Sequence, residues 1–167
     1  MNRREFLKRS LALAVGAGAL ALPGNLGKNL GAAAAGPVDL AAVKGGEAPE
    51  MFDRGISALG GIGRFVSKGQ TVVVKPNIAW DVEEALGANT NPALVARIVK
   101  RCLEAGASKV YVFDHTCDLW KRSYARSGIE EAASRAGAAV LPADQGNAYR
   151  KETIRGARTL KETRVHE

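Results

Sequence analysis

Residues 71–81 read TVVVKPNIAWD. Three valines follow a threonine with no polar residue between them, the pattern of a strand buried on both faces of a sheet rather than half-exposed. A first strand is therefore expected at Thr71–Lys75. Downstream, Asn91 is a favourable N-cap and Pro92 suits the first helical position. Leu94, Val95, Ile98, Val99, Cys102 and Leu103 recur at helical spacing, which predicts an amphipathic helix over Pro92–Ala105 that Gly106 ends.

KVYVFD (Lys109–Asp114) predicts a second strand, Gly128–Ala136 a second helix, and AAVLPAD (Ala138–Asp144) a third, short strand. Upstream, EMFDRGISAL (Glu50–Leu59) predicts a short helix broken by GGIG at Gly60–Gly63. Alternating strands and helices imply an α/β fold: three layers, a mainly parallel sheet flanked by helices, joined by right-handed crossovers. The expected organisation is residues 1–35 as an export signal, 36–49 as a linker rich in Gly, Ala and Pro, and 50–167 as the α/β domain. No closing strand is legible near KETRVHE, so the sheet is expected to be incomplete at its C-terminal side, with an open edge that invites pairing with another chain.

In parallel sheets ligands sit outside the carboxyl ends of the strands. Two connections, Pro76–Asn91 and His115–Ser127, fall at that edge, and both exceed the 2–6 residues common in α/β units. The first offers Lys75, Asn77, Trp80, Asp81, Asn89, Thr90 and Asn91; the second offers Asp114, His115, Thr116, Cys117 and Asp118. Lys75 suits either an anionic ligand or an ion pair with Asp114. Asn89, Thr90 and Asn91 lead into a helix start, whose unpaired amides attract anions, although capping alone accounts for Asn91. Trp80 suits a planar ligand or a lid over the core.

Imidazole and thiol at His115 and Cys117 are the candidate metal ligands, a weak set unless residues from elsewhere join them. Cys117 as a nucleophile would need His115 as its base. Cys102, on the apolar stripe, reads as a small core residue. Two cysteines without a CxxC spacing exclude an iron–sulfur cluster bound by this chain alone. GGIG precedes a strand instead of following one and fails the dinucleotide-binding context. The reaction and the cofactor stay unknown.

VVVKPNIAWD, ANTNPALVARIVKRCLEAGASKVYVFDHTCD and SGIEEAASRAGAAV together resemble the amino-terminal half of a bacterial and archaeal family catalogued as domain of unknown function 362, over about Gly55–Leu141. The resemblance implies the α/β fold and an exported, redox-related setting, since some members carry ferredoxin-type iron–sulfur modules. It also implies a longer chain, so this one reads as a fragment or truncated frame. The function expected is an exported protein binding an anionic or metal-containing ligand at the carboxyl edge of its sheet. The alternative is a non-catalytic fragment, or a subunit completed by a protein partner.

The export expectation rests on the first residues. Arg3, Arg4, Lys8 and Arg9 precede an apolar run, Leu11–Leu22, and GAAAAGP follows with Ala33 and Ala35 at small-x-small spacing, placing cleavage near Ala35. Arg3-Arg4 followed by Phe6, Leu7 and Lys8 resembles a twin-arginine signal, an address read by the export machinery. An ordinary secretory signal is the alternative, and a membrane anchor is disfavoured because the run is shorter than the roughly 20 residues a span needs. The expected location is periplasmic or extracytoplasmic. The chain carries a formal charge of +7, but beyond residue 35 it has 19 basic and 16 acidic residues, which argues against nucleic acid as a main partner. Replacing Arg3 and Arg4 together by lysine should abolish export, as read by cell fractionation; undiminished export would rule out the twin-arginine assignment.

Overall fold

The computed structural model describes residues 38–142 and 149–166, all within one compact unit, Pro37–Glu167. The export signal, with Arg3, Arg4, Phe6, Leu7 and Ala35, lies outside the described residues, as does Asp144. In chain order the elements are α1 (Ala48–Ala58), β1 (Thr71–Val74), α2 (Pro92–Glu104), β2 (Lys109–Val112), α3 (Trp120–Arg126), α4 (Ile129–Arg135), β3 (Ala139–Val140), β4 (Tyr149–Thr153) and β5 (Glu162–His166). Single 3-10 turns occupy Ile62–Arg64 and Glu84–Leu86.

The chain is an α/β fold: a parallel three-stranded sheet, in the order β1-β2-β3, flanked by four helices. Register pairs Val72 with Val110, Val74 with Val112, and Val112 with Val140, so these valines share one face. Helix α2 packs on that sheet and on α4, bringing Val95, Val99 and Cys102 into a core with Val110, Val112, Ile129 and Ala133. Each Val or Ile fully withdrawn from water there contributes about 1.5–3 kcal/mol. Burial raises the pKa of the Cys102 thiol, as expected of a core cysteine kept protonated and inert.

The structure differs from several expectations. The valine run is covered on one face only: Val73 points the opposite way and is 55% exposed. The chain between His115 and Ser127 is not a long loop, because Trp120–Arg126 forms α3 and leaves His115–Leu119 irregular before it and Ser127 in a turn after it. Gly128, with φ of 73°, caps α4 in the left-handed region and separates it from α3. The third strand shrinks to Ala139–Val140, and α1 begins at Ala48, inside the expected linker. Strands β4 and β5 form a separate antiparallel hairpin instead of extending the sheet, so β1 and β3 are its edges among the described residues.

Helix α1 exposes every side chain at least partly and is fastened to α2 by charge. Asp53 Oδ1 accepts from Arg101 Nε at 2.8 Å, and Oδ2 accepts from Arg97 Nε at 2.8 Å and Arg101 Nη2 at 2.9 Å. Those guanidinium hydrogen bonds hold the Asp53 carboxyl well below the usual carboxylate range. A depressed folded-state pKa adds stability that is complete above the unfolded value of about 4 and is lost as pH falls from there toward the folded one. Asp53→Asn should therefore lower the melting temperature by a few degrees at neutral pH, with the gap to the parent closing in strong acid. A gap independent of pH would refute the ion-pair account.

Candidate functional site

The carboxyl edge is organised around Asp114, just beyond β2. Its side chain is 4% exposed, yet its Oδ2 accepts from the Ile78 N–H at 2.8 Å and its Oδ1 pairs with the Lys75 ammonium. Lys75 itself is 64% exposed. The sequence left two roles open for this lysine, and the structure makes the ion pair. Ile78 is fully buried, so the same amide that Asp114 holds carries an apolar plug into the core.

Tyr124, on α3, braces the same edge from within the core. Its ring is fully buried and meets Trp120 edge-to-face at 5.6 Å. Its hydroxyl accepts from the Asp114 N–H at 2.7 Å, and its one proton faces the carbonyls of Asp114 at 2.9 Å and Leu141 at 3.1 Å. One phenol thus links the ends of β2 and β3. Tyr124 falls in a connection expected to be a loop; its spacing of four from Trp120 is the signal in the sequence for a helix there.

The remaining candidates are largely engaged within the protein. Asn77 donates its N–H to Thr90 Oγ1 at 2.9 Å and its Nδ2 to the Ala88 carbonyl at 2.9 Å, while Thr90 N–H returns to the Asn77 carbonyl at 2.9 Å. Asn89 imitates a strand neighbour for Trp80, accepting from its N–H at 3.1 Å and donating to its carbonyl at 2.9 Å. Asn91 caps α2 by accepting from Leu94 N–H at 2.9 Å and donates to Glu84 Oε1 at 2.7 Å. These bonds close Pro76–Asn91 into a compact loop. The open depression of about 590 Å³ beside the start of α2 is lined by Glu83, Glu84, Ala85, Gly87, Asn89 and Asn91. Two carboxylates there repel an anion, so the anion expected at this helix start has an unfavourable setting.

The two loops are also bonded to each other. Ala79 carbonyl accepts from Cys117 N–H at 2.9 Å and Asp118 N–H at 3.1 Å, Asp118 Oδ2 accepts from Asp81 N–H at 2.9 Å, and Thr116 Oγ1 donates to the Asp118 carbonyl at 2.7 Å. Asp81 pairs with Arg122 at 2.6 Å and lies 3.9 Å from Arg126. Lys75, Trp80, His115 and Cys117 are exposed on these two loops, together with Glu83, Glu84, Leu86, Asp118 and Leu119. His115 Nδ1 lies 3.3 Å from the Tyr149 hydroxyl at the start of the hairpin. Among the described residues no three His, Cys, Asp or Glu side chains gather as a metal-binding group, so His115 and Cys117 have no third protein ligand there. No described helix is long and apolar enough to cross a membrane.

The family model described as "Domain of unknown function (DUF362)" matches residues 72–167. It starts at the first strand and runs through the hairpin, later at both ends than the Gly55–Leu141 expected, and it occupies the C-terminal part of the chain. No curated protein and no solved structure matches the chain.

Replacing Asp114 by alanine strands the Ile78 amide without its acceptor, and Tyr124→Phe strands the Asp114 amide. Each should lower unfolding free energy by about 1–3 kcal/mol, read from urea midpoints. Asp114→Asn keeps an acceptor oxygen and should fall nearer the parent. Equal midpoints for all three would show that the edge is not held this way.

Proposed function

The chain belongs to the DUF362 family, and on that footing we propose that it is an exported protein that holds an anionic or metal-containing ligand at the carboxyl edge of its sheet. Export follows the twin-arginine route on Arg3, Arg4, Phe6 and Leu7, with cleavage near Ala35, and the protein works outside the cytoplasm in a redox-related setting. The observation that carries the ligand reading is the division of labour at the edge. Most polar groups of both loops are bonded within the protein, while an ammonium, an indole, an imidazole and a thiol are among the groups that face outward from the same two loops.

Each exposed group has a chemical part. Lys75 offers a point charge to an anionic group without leaving Asp114, since an ammonium has three donors. Trp80, 44% exposed, offers an apolar plane. His115 and Cys117 offer a nitrogen and a soft sulfur donor to a metal that arrives with its other ligands already in place. Asp114 and Tyr124 are positioning residues.

A second reading has its own observation. Val73 lies 55% exposed on the sheet face opposite the core, in register with Tyr111 and Ala139, a surface that a partner subunit would cover.

Native and denaturing mass spectrometry of the protein recovered from the periplasm tests both readings. The ligand reading expects a mass excess that vanishes on denaturation and is missing from the His115→Ala/Cys117→Ala variant. An excess that the variant retains, or none at all, overturns it. An excess equal to a second polypeptide supports the partner instead.

A further inference from the structure

The hairpin has a charge distribution unlike the rest of the chain. Residues 149–166 hold six basic residues and two acidic ones, a net of +4, whereas the remainder beyond residue 35 has 13 basic and 14 acidic residues. Both acids of the hairpin are engaged near its strands: Glu152 with Arg150 at 2.6 Å and Glu162 with Lys151 at 2.7 Å. The positive excess therefore gathers toward the tip, IRGARTLK (residues 154–161), which holds Arg155, Arg158 and Lys161 and no acid.

The tip is a built turn. Ile154 N–H donates to the Lys161 carbonyl at 2.9 Å, Ala157 N–H to the Ile154 carbonyl at 3.3 Å, and Gly156 takes φ of 76°. Two large aliphatic side chains project among the cations, Ile154 at 40% and Leu160 at 59% exposure. The hairpin's principal packing is of its own two strands on each other, and a lone two-stranded hairpin is marginal in water.

We propose that the tip docks this protein on an anionic phospholipid surface, with Arg155, Arg158 and Lys161 against the headgroups and Leu160 and Ile154 in the acyl boundary. Cations beside solvent-facing aliphatic groups match a layer that is anionic outside and apolar beneath. Single-stranded nucleic acid instead takes aromatic platforms, and the tip has no aromatic residue.

The test is co-sedimentation of the full chain with vesicles of phosphatidylcholine alone and of phosphatidylcholine mixed with phosphatidylglycerol. The basic N-terminal residues contribute their own attraction, so variants of equal charge change are compared. Arg155→Glu/Arg158→Glu should lower partitioning onto the anionic vesicles at least tenfold, and Leu160→Ser several-fold. Arg155→Lys/Arg158→Lys should hold close to the parent, as should Lys44→Glu/Lys100→Glu, which places the same charge change elsewhere. High salt should weaken binding, because exposed charges are screened over about 8 Å already at physiological ionic strength. Equal binding to both vesicle types overturns the proposal, as does an equal loss in the Lys44/Lys100 control. So does a tip variant that loses affinity for duplex DNA while keeping the vesicles. Circular dichroism of each variant verifies that the fold is intact.

Discussion

A carboxylate that is 4% exposed at the end of β2 is the constraint on which the carboxyl edge depends. Withdrawing such a group from water is costly unless charge and hydrogen bonds replace the hydration. Asp114 obtains one replacement from Lys75 and another from the Ile78 amide. Both partners come from the segment after β1, so satisfying one buried group fastens two connections that are distant in sequence. The Ile78 side chain then sits in the core directly beneath, which couples the polar latch to apolar packing. Tyr124 extends the same logic to β3 by bonding the main chain at Asp114 and Leu141.

This economy explains why the polar groups of a loop rich in Asn, Thr and Asp are largely bonded within the protein. Short amide and hydroxyl side chains readily replace missing backbone partners in irregular segments. Asn77, Thr90, Asn89 and Asn91 all do so here. Among the exposed groups are a lysine long enough to pair and still be solvated, and an imidazole and a thiol beyond the end of β2. The edge is a hydrogen-bonded frame with exposed side chains on its rim.

Other parts of the chain are held by different forces. Helix α1 relies on Asp53 and two guanidinium groups of α2, while α2 and α4 rely on apolar packing against one face of the sheet. The opposite face presents Val73. The hairpin is a third regime, a ladder whose excess charge lies at its turn, and its physical character is that of a surface element more than of a core.

Much of the architecture was legible because periodicity and capping are local properties. The valine run, the Asn91-Pro92 start, the apolar stripe ending at Gly106 and the second strand each declare themselves within a dozen residues, and together they determined a parallel α/β fold and the edge where its loops meet. Strand and helix extents near Trp120 and Val140 were less legible, since they depend on what the side chains pack against. Only the tertiary structure decided that Lys75 pairs with Asp114, that Tyr124 is a buried brace and not a loop residue, and that Val73 faces solvent. The reason is physical: a buried polar group needs a partner, but its chemistry does not name one, and which partner lies within 3 Å is settled only when distant segments are packed together.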